Sequence, residues 1–369
     1  MKINKLLPLL FAFPFIFHSC VKEDDSPIVI PPFEGKVVTL LADDKINKGD
    51  PTEANQFWIE LGTGKVTITH RENWDLGFYS GDDFRVILNS SLVMSVGKIE
   101  NAINIDAVNS QTVASLKSLV QVANFQNNSQ YIDNPNGQIL AQTTGIDEIK
   151  LDENQNNVYL LNMGHKTYTG STTVGSVYTM GEARGWKKIR ILRHNGGYKI
   201  QYADLDDTNH KEFIVTKDSN YNHQFFSFKT ENYVEIQPRK MNWDLSFTVF
   251  TNLTNAGSFM TSYVYPDFII SNTLGNVSAY EVVTAAGQGE TEYTNFKLEN
   301  VEPSKLVSND QRIIGSNWRT TTGANGAEVY SNKFYIIKNS VGLYYKLRFL
   351  RIKDEAGNRG YPQFEYKPL

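Results

Sequence analysis

Few residues in this chain of 369 have both the type and the spacing that chemistry needs. Six histidines and one cysteine are present. No two histidines stand four apart on a helical pattern, the spacing that lets both reach one zinc ion. His70 ends a strand-like run beside Arg71, His194 precedes an Asn195-Gly196 turn, and His210 and His223 lie in polar segments. There is no nucleophile elbow, phosphate-binding loop or dinucleotide fingerprint. Asp147, Glu148, Asp152 and Glu153 crowd one stretch. They lack the alternating order and central glycine of a calcium loop, so a solvated turn is expected. A glycosidase needs two carboxylates across one cleft. The acids at matched places are Asp75 and Asp244, 169 residues apart. Each sits in a strand pattern and is expected to accept a hydrogen bond from a neighbouring turn or strand. These residues point away from an enzyme and toward a binding protein.

The elements that would position these groups are organised by a repeat. Asn73-Trp74-Asp75-Leu76-Gly77-Phe78 recurs as Asn242-Trp243-Asp244-Leu245-Ser246-Phe247. In an extended strand the Trp, Leu and Phe of each block would face one way and the Asp the other. Phe57-Trp58-Ile59 leads into the first block and Phe226-Ser227-Phe228 into the second, each starting seventeen residues before its Trp. Further on, Ile189-Arg190-Ile191 and Tyr198-Lys199-Ile200 match Tyr335-Ile336-Ile337 and Tyr345-Lys346-Leu347. The chain therefore reads as a duplication, with a first β domain over 36–220 and a second over 221–369. An insertion near 100–156 lengthens the first.

Strand patterns dominate both copies. Gly35–Leu41, Phe57–Leu61 and Lys65–His70 precede the Trp74 strand, and Phe84–Asn89 with Leu92–Val96 makes an expected pair. Residues 107–125 carry loosely helical spacing, enough for one or two short helices. Asn124–Gly137 is expected to be a surface loop and Ala285–Thr291 a small polar loop. In the second copy Ser278–Val283 reads as a strand or helical turn, and Phe334–Lys338, Leu343–Ile352 and Gln363–Lys367 as strands. Nineteen Tyr and 21 Phe suit broad antiparallel sheets with cross-strand aromatic pairs. The expected class is mainly β: two antiparallel β domains with one or two short helices in the first.

Met1–Ser19 reads as an export signal: a basic start, then an apolar run from Leu6 to Phe17, too short to span a bilayer comfortably. Phe17-His18-Ser19-Cys20 is similar to a bacterial lipobox, which makes Cys20 the expected lipidation site and removes His18 with the signal. Residues 20–35 form the expected tether, and its Lys22-Glu23-Asp24-Asp25 cluster resembles the surface-export signal of Bacteroidetes lipoproteins. Losing Lys2 and Lys5 would take the formal charge from −4 to about −6, a balance that excludes nucleic acid and anionic lipid as partners. A lone cysteine leaves no internal disulfide, so apolar cores must hold the fold.

Taken together, the lipobox, the aromatic lead-in, the Asn-Trp-Asp strand and the terminal Tyr345-Lys346-Leu347-Arg348-Phe349 and Gly360-Tyr361-Pro362-Gln363-Phe364 strands resemble the HmuY family. The likeness is best over 225–369, and 55–205 is a looser copy. The resemblance implies a lipoprotein anchored in the outer membrane and exposed on the cell surface. It implies haem as cargo and a TonB-dependent outer-membrane receptor as partner. The family's haem binder holds iron between two axial side chains, the later one a few residues after a tryptophan. In the second copy that tryptophan corresponds to Trp318, and the ligand place holds Thr321-Thr322-Gly323, none of which binds iron. In the first copy the later ligand place corresponds to Met163 and His165. A thioether or an imidazole can ligate haem iron. Residues two apart on a strand share a face, so a second axial ligand would have to come from elsewhere, such as Met94 or Met180. The alternative is a β binding or adhesion module for a peptide, a glycan or an outer-membrane partner.

Overall fold

Both Asn-Trp-Asp blocks open strands, and almost everything in them is buried. A computed structural model describes residues 35–40, 51–141, 144–323 and 326–369. The expected signal, Cys20 and most of the tether lie outside the described residues. The strands are β1 (Lys36–Thr39), β2 (Asn55–Glu60), β3 (Lys65–His70), β4 (Leu76–Tyr79), β5 (Val86–Leu88) and β6 (Ser95–Lys98). After helix α1 (Ala114–Leu119) come β7 (Val158–Asn162), β8 (Trp186–His194), β9 (Gly197–Asp204), β10 (Lys211–Val215), β11 (His223–Ser227) and β12 (Asn232–Val234). The second block opens β13 (Leu245–Asn255), followed by β14 (Met260–Ser271) and β15 (Ser278–Val283). Helix α2 (Gly289–Asn295) precedes β16 (Arg319–Gly323), β17 (Gly326–Val329), β18 (Lys333–Lys338), β19 (Tyr344–Lys353) and β20 (Arg359–Pro368). The protein is mainly β, and the strand pairings are antiparallel.

The sheets fall into two groups, and their membership crosses the division expected near 220. One group holds the sheets β10-β9-β8-β7-β6 and β12-β11-β4-β5. The other holds β1-β20-β19-β18-β15 and β14-β13-β2-β3, with the ribbon β16-β17 beside them. So the amino-terminal strands β1, β2 and β3 complete sheets of the second Trp block. Strands β11 and β12, beyond residue 220, do the same for the first. Phe225 pairs with Gly77, and Leu245 pairs with Ile59. Among the described residues no sheet contains strands of both groups.

Burial explains why these strands are fixed. Leu76 and Phe78 are fully buried in the first core beside Val86, Leu161, Ile200 and Phe226. Burying a side chain of that size is worth about 1.5–3 kcal/mol. The second group has its own apolar cluster of Tyr280, Tyr293, Phe334 and Ile336. Trp74 does not join Leu76 and Phe78, as simple alternation predicts. It packs with Trp58, Phe225, Ile236 and Trp243 in a separate cluster. The regular strand begins only at Leu76, so the chain before it is free to turn the indole elsewhere.

Three local expectations change. Strands β5 and β6 do not pair: β5 joins β4, and β6 joins β7. The chain between them makes a tight turn with Val93 in the left-handed region at φ 66°, which redirects it. The polar segment expected as a loop after Ala285 becomes α2, anchored by one buried large side chain, that of Tyr293. One anchor leaves no helical periodicity to read. Finally, the Asn-rich stretch 124–137 is partly buried. Asn128 is 1% exposed, and its side chain accepts from the Ser262 backbone N–H and hydroxyl, both at 2.8 Å.

Candidate functional site

The two groups meet along a seam built from equivalent residues of each copy. Asp75 accepts the Phe228 N–H at 2.7 Å, and Asp244 accepts the Leu61 N–H at 2.7 Å. Asn89 donates to the Trp74 carbonyl at 2.8 Å, and Asn272 donates to the Trp243 carbonyl at 2.9 Å. The ring of Trp58 meets that of Trp243 edge-on at 4.9 Å, and Phe225 meets Trp74 edge-on at 4.8 Å. Trp58 and Phe225 are therefore counterparts, which moves the lead-in match by two residues from the sequence alignment. The structural role expected for Asp75 and Asp244 holds, and each of them accepts its bond from a lead-in hairpin.

The two aspartates differ in their surroundings. Asp75 also binds the Arg184 guanidinium at 2.6 Å. Among the described residues Asp244 has no such cation. Burial raises its pKa to about 6, against the pull of the Leu61 and Ser340 N–H groups. Asp133 is likewise pushed up to about 6 by burial, although Leu88 and Gly145 donate to it at 2.6 and 2.8 Å.

A cavity of about 110 Å³ lies in this seam, walled by Trp58, Trp74, Trp243, Met94, Asp133 and His223 among others. Several buried polar atoms of its lining residues lack a hydrogen-bond partner: both His223 ring nitrogens, Gln237 Oε1, Trp243 Nε1 and Ser271 Oγ. Such atoms are costly to leave unmet and mark places where a ligand or water belongs. His223 and Gln237 also line a larger open groove of about 720 Å³, with Lys65, Tyr221, Phe225 and Tyr233 around it. That groove lies between β3 and β12, the edge strands of the two four-stranded sheets.

His223 is 5% exposed and sits on β11 opposite Tyr79. Burial pushes its pKa down to about 3; the Gln237 carboxamide opposes this slightly without reaching hydrogen-bonding geometry. The ring is therefore neutral across the physiological range. The sequence reading placed His223 in a polar segment, and this is corrected. The overlooked signal was the alternation His223-Gln224-Phe225, which puts His223 on the buried face with Phe225.

Met163 and His165, the sequence candidates, are not brought together. Met163 is 2% exposed in the first core with Leu92 and Met94. Gly164 then takes φ 66°, which breaks the strand alternation. His165 is half-buried, pairs with Ala183 and holds the Gly181 carbonyl at 3.0 Å through Nδ1. Since a carbonyl only accepts, Nδ1 is the donor in this contact. Met180 is exposed, and Met94 lines the seam cavity. In the second copy, Trp318 stacks on Phe349 at 4.2 Å and donates to the Asp267 carbonyl. Thr321, Thr322 and Gly323 follow on β16. Among the described residues, no three His, Cys, Asp or Glu side chains gather as a metal site.

A family model described as HmuY protein matches residues 52–216 and again 219–366. No curated protein matches the chain. Three solved structures share distant likeness. A putative lipoprotein from Bacteroides fragilis is 14% identical, with 49% of this chain and 88% of that one covered at a TM-score of 0.22. Apo PinO from Porphyromonas gingivitis is 8% identical, with 91% and 98% covered at 0.26. A putative HmuY-like heme binding protein from Bacteroides vulgatus is 10% identical, with 90% and 91% covered at 0.20. These likenesses are too remote to place individual residues.

Proposed function

Because the chain belongs to the HmuY family, with two family segments in tandem, we propose that it is a non-enzymatic binding protein of the cell envelope whose cargo is haem or a related porphyrin. The observation that carries this reading is His223: a neutral imidazole, both ring nitrogens unpartnered, at the floor of an open groove. The groove's volume of about 720 Å³ lies within the usual range of ligand sites, roughly 300–1,000 Å³. Phe225, Tyr221 and Tyr233 offer aromatic surface to a macrocycle, and Lys65 offers a cation to its carboxylates. Displacement of Gln237 would open His223 to the iron. His165 and Met163 remain the other candidate ligands. Lipid on Cys20 would hold the protein at the outer-membrane surface, where a TonB-dependent receptor would accept the haem.

Titration of the mature protein with haem tests the reading. A saturable Soret shift is expected, reduced by His223→Ala. No saturable shift at micromolar haem in either iron oxidation state overturns it. A shift that survives His223→Ala but is lost in His165→Ala or Met163→Ala moves the ligand while keeping the cargo. The alternative of an adhesion module has one observation in its favour. Phe125, 61% exposed, sits 5.9 Å from the exposed Tyr263, an aromatic surface suited to a glycan or peptide.

A further inference from the structure

The seam cavity has features that haem does not use. It is too small for a macrocycle: an apolar cavity of about 150 Å³ holds one benzene, and this one measures about 110 Å³. Three of the chain's five tryptophans, Trp58, Trp74 and Trp243, wall it, with Phe250 alongside. Indole faces carry negative potential and attract cations, and several of them around one space form an aromatic cage. The indole N–H of Trp58 is occupied by Thr69 at 2.9 Å and that of Trp74 by Gln56 at 3.0 Å, which pins both rings. The polar lining offers several acceptors. Asp133 supplies a carboxylate that makes no ion pair with a Lys, Arg or His among the described residues. Gln237 Oε1, Ser271 Oγ and the unprotonated nitrogen of His223 have no partner. Two strict donors are orphaned beside them, the Trp243 N–H and the protonated nitrogen of His223. Among the described residues no Lys or Arg lines the cavity.

We propose that this cavity is a binding site for a small alkylammonium cation, of up to about five heavy atoms by comparison with benzene in its larger cavity. The tryptophan cage takes the alkyl groups and the charge, and the Asp133 carboxylate, Gln237 Oε1 and the His223 nitrogen accept the ammonium protons. The size excludes larger polyamines, and the lack of a lining cation excludes carboxylates and phosphates. The cavity shares His223 and Gln237 with the haem groove, but its assignment rests on the cage and its acceptors and not on the haem reading.

The experiment follows tryptophan emission of the full mature protein at pH 8 during titration with isopropylammonium chloride, with isopropanol as the neutral match of the same size and sodium chloride as the salt control. A saturable spectral change with isopropylammonium is expected, at least about tenfold weaker with isopropanol and absent with salt. Gln237→Met removes one acceptor at a half-exposed position and should weaken the ammonium response several-fold with the protein still folded by circular dichroism. Asp133→Asn should abolish it if the variant folds. Equal responses to isopropylammonium and isopropanol overturn the assignment, as does a linear, unsaturating response to both.

Discussion

The side chain of Asp244 accepts the backbone N–H of Leu61 at 2.7 Å, across 183 residues of sequence. Asp75 does the same for Phe228 at the same distance. Each repeated aspartate therefore closes the turn of a hairpin that enters from the other repeat of the sequence. A carboxylate suits this task because it accepts strongly from backbone donors that the end of a strand leaves unmet.

Removing Asp75 should cost more than an ordinary surface change. Asp75→Ala leaves Arg184, whose side chain is 12% exposed, without its carboxylate and the Phe228 N–H without its acceptor. Breaking one partner of a buried ion pair costs about 3–5 kcal/mol. Urea unfolding should show a loss in that range. A loss below about 1 kcal/mol would mean that Arg184 finds water or another acceptor.

Asp244 should give the protein a pH dependence of definite sign. Its folded pKa is raised from 3.8 to about 6 by burial. The folded state therefore holds the proton more tightly than the unfolded chain. The contribution is full below about pH 4 and is lost as pH rises through 6, by about 3 kcal/mol at most. Stability measured by urea between pH 4 and 7 should fall more steeply in the wild type than in Asp244→Asn. Parallel curves would show that Asp244 keeps an ordinary pKa.

Fragments should fold according to sheet membership rather than sequence repeat. Residues 71–240 contain every strand of one group, β4 to β12. Residues 36–220 lack β11 and β12, leaving the β4 edge without its partner, and carry β1 to β3 without their sheets. The 71–240 fragment should give a cooperative thermal transition and dispersed NMR signals, and the 36–220 fragment should aggregate. The opposite result would show that each sequence repeat forms its own unit in isolation.

Gly164 should be intolerant of any side chain. Its φ is 66°, and a Cβ built there would stand 1.9 Å from the Leu92 carbonyl oxygen. Because that neighbour is backbone, relief requires the strand end to move. Gly164→Ala should lower stability by at least about 2 kcal/mol and shift His165, which follows it. A thermal melt unchanged within a degree would show that the turn relaxes freely.

Much of this protein was legible in its sequence. Alternating apolar residues mark which face of a strand is buried, and so the mainly β class, the strands around Trp74 and Trp243 and the structural role of Asp75 and Asp244 could all be read. Periodicity names a face, however, and not a partner. Whether β2 completes the sheet of Trp74 or that of Trp243 depends on contacts between residues nearly two hundred apart, such as Leu245 with Ile59. The same limit hid the site. His223 is one polar residue at the start of a strand by sequence. It becomes a buried, neutral imidazole only because β11 is enclosed between β4 and β12 and the seam closes over it. Burial, and the pKa that follows from it, is a property of the assembled groups, and tertiary structure alone decided it.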